Sequence, residues 1–122
     1  MLSREEAMRA IALFLDLFLM IASAKAETIK ACDADKYIDK LVTAEGVVDE
    51  VHHAASGKVI FLDLCGHYPN YALAIPLFSK DAPKFPDIDS LEGKAIEVKG
   101  VIKLYQGRPE IILNDPEQIK VK

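Results

Sequence analysis

Two stretches of this chain share one unusual pattern. Leu41-Val42-Thr43-Ala44-Glu45-Gly46-Val47-Val48 and Lys94-Ala95-Ile96-Glu97-Val98-Lys99-Gly100-Val101-Ile102 both alternate apolar and polar residues, then place a glycine in mid-run before a β-branched pair. A period of two marks a strand with one buried face. Glycine inside such a strand weakens it unless the backbone bends, bulges or comes very close to a neighbour. Long strands bent at Gly46 and Gly100 predict a small closed barrel in which one strand serves two sheets. Ile96, Val98, Ile102 and Leu104 then face the core, while Glu97, Lys99 and Lys103 face water.

The rest of the chain fits five strands. They are expected at Leu41 to Val51, Val59 to Cys65, Tyr71 to Phe78, Lys94 to Tyr105 and Glu110 to Leu113, with Ile119 to Val121 as a final edge pairing. Ala55-Ser56-Gly57-Lys58, Gly66-His67-Tyr68-Pro69-Asn70 and Gln106-Gly107-Arg108-Pro109 carry the turn chemistry between them. Pro83 and Pro86 exclude a long helix between Ser79 and Gly93 and leave room for a turn or two around Asp87 to Leu91. Ahead of the first strand, Asp33 can cap a short helix whose inner face is Ala34, Tyr37, Ile38 and Leu41.

The run Leu91-Glu92-Gly93-Lys94 through Val98-Lys99-Gly100-Val101, with Tyr105-Gln106-Gly107-Arg108-Pro109-Glu110-Ile111 and Asp115-Pro116-Glu117-Gln118-Ile119, resembles small exported bacterial OB-fold proteins of the nucleic-acid-binding-like superfamily. The likeness extends from about Ile29 to Val121. One departure is Asp39-Lys40, where that family usually has Gly-Lys before the first strand. The fold class implied is all-β in the main: a five-stranded OB-fold Greek-key barrel with a short N-terminal helix. The matched residues are turn and packing positions, so they speak to fold more than to function.

The N-terminus reads as a secretory signal. Arg9 precedes an apolar run from Ala10 to Ala22, and Ala24-Lys25-Ala26 offers small residues for cleavage after Ala26. The run has about 13 residues, short of the ~20 that a membrane span needs. Glu5, Glu6 and Asp16 run against the pattern, and a start at Met8 would remove the first two. The competing reading is a buried or amphipathic helix. The expected organisation is a signal over residues 1–26 and an OB-fold domain over 27–122, periplasmic or secreted by a bacterium. Export permits a disulfide between Cys32 and Cys65, the two cysteines of the chain. The alternative is a pair of small unbridged core residues.

The net charge is −4, and the charged groups of the signal cancel, so the domain carries the whole acidic excess. That field opposes general phosphate binding. A ligand groove is implied by the resemblance across the second and third strands, flanked by two hairpin loops. Candidate ligand-binding groups there are His52, His53, Lys58, Tyr68, Tyr71, Lys103, Tyr105 and Arg108. Aromatic faces interleaved with cations suit a single-stranded nucleic acid. Phe61 and Phe78 read as core. Arg108, the one arginine after the signal, either forks onto a phosphate or carboxylate or, the favoured reading, pairs locally with Glu110 or another acidic group and pins the hairpin.

His52, His53, Cys65 and His67 invite a metal, but a straight hairpin separates the His52-His53 end from the Cys65-His67 end by roughly 20 Å. No metal site is therefore expected. Cys65 with His67 lacks an orienting third group for nucleophilic catalysis, and Asp87 with Asp89 lacks the ligand count of a calcium loop. The OB-fold also carries calcium-dependent nucleases, whose phosphate clamp needs two arginines. With Arg108 alone, that chemistry has no parts. The expected function is a non-enzymatic binding module without cofactor, for single-stranded nucleic acid or, as close competitors, an oligosaccharide or a peptide. The alternative is an interaction or structural domain for an envelope protein.

Overall fold

The computed structural model describes residues 26–122. The expected signal, apart from Ala26, lies outside the described residues. The strands are β1 (Glu27–Lys30), β2 (Leu41–His53), β3 (Val59–His67), β4 (Asn70–Phe78), β5 (Ala95–Val101), β6 (Lys103–Tyr105), β7 (Arg108–Glu110) and β8 (Ile119–Val121). They form one sheet in the order β6-β7-β4-β3-β2-β5-β8, with β1 added to β2. Only Ile102 separates β5 from β6, so the two arms of this order meet in one run of chain and the sheet closes on itself. The result is an OB-fold barrel, completed by the parallel pairing of β4 with β7 at Ala74 and Glu110.

The expected first three strands correspond to β2, β3 and β4. The expected fourth is split into β5 and β6. The fifth begins earlier than expected, at Arg108. Beyond Glu110 the amides of Ile111 and Leu113 still donate to the carbonyls of Ala74 and Pro76, at 3.1 and 3.0 Å. Strand β1 was not foreseen; it pairs parallel to β2 and buries Ile29.

The two mid-strand glycines sit where expected, and packing is the reason. Strand β2 pairs with β5 over Leu41–Val47 and with β3 from Val48 onward, so it serves two parts of the barrel. A Cβ at Gly46 would lie 3.1 Å from Ala31 Cβ and 3.3 Å from Leu64 Cδ2. At Gly100 it would lie only 2.5 Å from Ile111 Cγ2. The register slips between Val48 and Glu50, leaving Asp49 as a bulge. Its carboxylate accepts the Gly66 amide at 2.7 Å and ties β2 to the end of β3.

Inside lie Val42, Val48, Leu62, Leu64, Leu73, Ile75, Leu77, Ile96, Val98, Ile102, Ile111 and Leu113, all essentially inaccessible. Several expectations need correction. Leu104 is 54% exposed, because β6 belongs to a short hairpin that projects beyond the core. Phe78 is 39% exposed at the last position of β4. The N-terminal helix is a 3-10 helix over Ala31–Tyr37 with Lys30 at its N-cap, so Asp33 lies in the first turn and caps nothing. Three residues per turn put Ala31, Ala34 and Tyr37 on one side. Leu41 falls outside that period, enters β2 and is 51% exposed.

Cys32 and Cys65 are bridged, with Cα atoms 5.4 Å apart and a sequence separation of 33. The bond staples the 3-10 helix to the end of β3. For a loop of that size the chain-entropy model assigns roughly 4 kcal/mol. Asp39 has φ 66°. Glycine adopts that left-handed conformation without cost, and Asp tolerates it better than most residues do.

Candidate functional site

The outer surface of β2, β3 and β4 follows from the pleat. With Leu62, Leu64, Leu73, Ile75 and Leu77 directed inward, the opposite face carries Glu50 and His52 from β2, Phe61 and Asp63 from β3, and Ala74 and Pro76 from β4, of which Asp63, Ala74 and Pro76 are themselves buried. His52 stands beside Phe61, which stands beside Pro76; Glu50 stands beside Asp63, which stands beside Ala74.

At the end of β3 the chain turns back on itself. Cys65 has φ 59° and Gly66 φ 118°. A Cβ on Gly66 would fall 2.1 Å from the Asn70 carbonyl oxygen, so only glycine fits. This curl lays the Tyr68 ring on the His52 ring, centroids 4.9 Å apart and planes within 5°. On one side His52 stacks with Phe61 at 6.2 Å. On the other, Tyr68 stacks with Tyr71 at 6.5 Å, and the Arg108 guanidinium lies over Tyr71, 5.1 Å from the ring centre. Phe61, His52, Tyr68, Tyr71 and Arg108 thus form one continuous ladder. Each of its steps has a geometry of net attraction between rings or between ring and cation.

The straight-strand separation of roughly 20 Å therefore fails for the aromatic groups. Tyr68 reaches His52, and both His52 and His67 lie near enough to Asp63 to influence its charge. Among the described residues, no group of three His, Cys, Asp or Glu side chains is placed to hold a metal ion. Phe61 is half-buried and is part of the ladder, not of the core. Arg108 does not pair with Glu110: it donates to the Pro69 carbonyl, clamping the β6–β7 hairpin to the β3–β4 turn. Glu110 instead is half-buried beside Ala74, and that burial raises its pKa.

Beneath this surface Asp63 is 1% exposed, and neither carboxylate oxygen has a hydrogen-bond partner among the described residues. Burial first and Glu50 second push its pKa up to about 6; His52, the Tyr68 backbone and His67 pull the other way. His67 Nδ1 lies 3.7 Å from a Glu50 carboxylate oxygen.

Of the eight candidate ligand residues, the fold brings His52, Tyr68, Tyr71 and Arg108 together. Tyr105 lies directly across the hairpin from Arg108 and is 61% exposed. His53 is turned away and pairs with Asp89 at 2.6 Å. Lys103 is held by Asp39 at 2.9 Å. Lys58 is exposed in the β2–β3 loop. Next to the ladder, a cleft of about 360 Å³ is bordered by Cys32, Asp35, Asn70, Tyr71 and Arg108. A separate hollow of about 500 Å³, bordered by Cys32, Val47, Ala95 and Lys122, is away from the ladder. No helix among the described residues is long and apolar enough to cross a membrane.

No protein family and no curated protein matches this sequence. Solved structures do match. Asparaginyl-tRNA synthetase of Entamoeba histolytica, in complex with asparaginyl-adenylate, is similar over 81% of this chain and 24% of its own, with a TM-score of 0.55 and 21% identity. Aspartyl tRNA synthetase of the same organism is similar over 83% of this chain and 22% of its own, with a TM-score of 0.54 and 15% identity. The OBody AM1L10 bound to hen egg-white lysozyme is similar over 81% of this chain and 96% of its own, with a TM-score of 0.57 and 16% identity. At these identities the likeness is one of fold. This chain spans about a quarter of the length of the synthetases it matches.

Proposed function

We propose that this protein is an exported, non-enzymatic OB-fold module that binds single-stranded nucleic acid on the outer face of β2, β3 and β4. The observation that carries the reading is the ladder from Phe61 to Arg108. Unpaired bases bind stacking faces without regard to sequence, and each such stack contributes about 1–3 kcal/mol. The guanidinium at the end of the ladder supplies a fork for a backbone phosphate. The likeness to parts of tRNA synthetases supports the same reading. Residues 1–26 serve as a cleaved signal and 27–122 as the domain, periplasmic or secreted by a bacterium; cleavage after Ala26 leaves β1 whole.

The test is fluorescence anisotropy of labelled oligonucleotides with the purified protein, native and carrying Tyr71→Ala with Arg108→Ala. Binding by the native protein at low salt, lost in the double variant with its melting temperature kept, is the expected result. No binding at low salt overturns the ligand. The mature N-terminus, read by mass spectrometry of the exported protein, is expected at Glu27.

A second reading, an envelope-protein interaction domain, draws on the acidic groups of the same face, Glu50, Asp63 and Glu110, which repel phosphate when ionised. The lysozyme-bound OBody shares the barrel and supports this reading too. A pulldown from envelope extract that returns one protein at stoichiometric yield, with no oligonucleotide binding, would establish it.

A further inference from the structure

The Cys32–Cys65 bridge lies at the surface. Cys32 is exposed and Cys65 half-buried, and both border the hollow of about 500 Å³, whose apolar lining includes Ala31, Val47 and Ala95. A disulfide is opened by direct approach of a thiolate to sulfur, so an exposed bridge is the kind open to exchange, and a nearby ammonium favours the thiolate form. Lys30 borders the same hollow. The acids there are engaged: Glu45 pairs with Lys122 at 2.6 Å, and Asp49 accepts the Gly66 amide at 2.7 Å.

The bridge also holds the residue on which the ladder turns. Cys65 has φ 59°, a conformation that a residue with a Cβ keeps only where its surroundings impose it. The bond to Cys32 ties Cys65 to the 3-10 helix, and the Asp49 hydrogen bond ties the next residue to β2. Three positions beyond Cys65, the Tyr68 ring lies on His52. Cutting the first tie leaves the left-handed turn on the second.

We infer that the Cys32–Cys65 bond is a site of thiol–disulfide exchange, attacked at the Cys32 sulfur by a dithiol, and that its opening releases the curl that stacks Tyr68 on His52. The first thiolate of the dithiol bonds to Cys32 Sγ, and the bridge breaks with its electron pair on Cys65 Sγ, which takes a proton from water. The second thiolate then bonds to the first sulfur of the dithiol, and Cys32 Sγ leaves with the electron pair and is protonated in turn. The dithiol departs as a disulfide, and the bridge has become a pair of thiols. A fall in ligand affinity on reduction rests on the nucleic-acid reading; the exchange and the release of the curl do not.

The experiment follows the purified oxidised protein in dithiothreitol or in reduced thioredoxin, a protein dithiol, with new thiols alkylated and weighed by mass spectrometry. Both thiols are expected to appear without denaturant, at a rate that changes less than about twofold between 0 and 1 M urea, because the folded barrel is attacked. Opening by either reagent supports the site and shows which kind of dithiol reaches it. A rate that climbs about fivefold or more per molar urea shows that attack waits for global unfolding, and overturns the site. With glutathione, a monothiol, the mixed disulfide persists and peptide mapping should find it on Cys32; a mixed disulfide on Cys65 overturns the direction of attack. In proton NMR of the reduced protein, the cross-peaks between the His52 and Tyr68 rings should be lost while the core signals of Leu62, Ile75 and Ile96 keep their shifts. Ring cross-peaks that survive reduction overturn the release of the curl. Core signals lost along with them reduce the bridge to a staple of the whole barrel and overturn it equally. None of these readouts needs an oligonucleotide, so failure of the ligand reading leaves them standing.

Discussion

Asp63 makes the stability of this barrel depend on pH in an unusual direction. Its carboxyl is buried, lacks a hydrogen-bond partner and sits beside Glu50, and its pKa rises from 3.8 to about 6. An acid whose folded pKa exceeds its unfolded value stabilises the fold fully below the unfolded pKa, and that contribution is lost as pH rises through the folded pKa. Well below pH 3.8 both states are protonated and Asp63 costs nothing. Above about pH 6 the folded state holds a buried anion. The gap from 3.8 to about 6, at 1.36 kcal/mol per pH unit, comes to about 3 kcal/mol. Asp63→Asn removes the titration with little change of shape. Urea unfolding from pH 4 to pH 8, with the disulfide kept oxidised, should show the native protein losing about 2.4 kcal/mol of this relative to the variant, since part of the loss already falls below pH 4. Glu110 is raised in the same direction, but it is present in both proteins and cancels in the difference. Parallel stability curves would refute the reasoning, because they would mean that the carboxyl keeps its ordinary solvation in the fold.

Three further substitutions test the frame around the site. Replacing Cys32 and Cys65 together by Ala should lower the free energy of unfolding by roughly 4 kcal/mol, read as a fall in the urea midpoint. Gly100→Ala forces a Cβ to 2.5 Å from Ile111 Cγ2 and should cost about 1–3 kcal/mol by thermal melting, more than Gly46→Ala, whose nearest contact is 3.1 Å. Asp39→Gly trades an exposed ion pair with Lys103 for relief of a left-handed backbone, so its stability should be unchanged or higher by up to about 1 kcal/mol.

The barrel was legible because its signals are local. Alternation, turn residues and interior glycines act within a few positions of themselves, and Gly46 and Gly100 mark where β2 and the β5–β6 run change partners. The ladder was legible only in pieces. His52, Tyr68, Tyr71 and Arg108 could each be picked out as candidates, but the step that joins them is the curl at Cys65 and Gly66, set by close contact with Asn70. A straight strand placed Tyr68 and His52 at opposite ends. Phe61 was read as core because an apolar residue in a strand gives no sign of which face it takes until the register is known. The glycine at position 66 is the visible signal of that bend, which only a residue without a Cβ can make against Asn70.

The same geometry sets how any nucleic-acid binding should respond to salt, and it corrects the simplest expectation. A site built on phosphate contacts weakens steeply, by about 10³ to 10⁵ between 50 and 200 mM salt for six to ten contacts. Here Lys103 and His53 are engaged elsewhere, leaving Lys58 and Arg108, the latter already donating to the Pro69 carbonyl, as the cations nearest the face. Two contacts to a single strand give a log-log slope of about −1.4, a loss of only about sevenfold over that range. The remaining affinity must come from stacking on Phe61, His52, Tyr68 and Tyr71, which salt hardly touches. Anisotropy titrations across that salt range would measure the slope directly. A slope steeper than about −4 would show phosphates meeting basic groups outside this face, and would move the site off the ladder altogether.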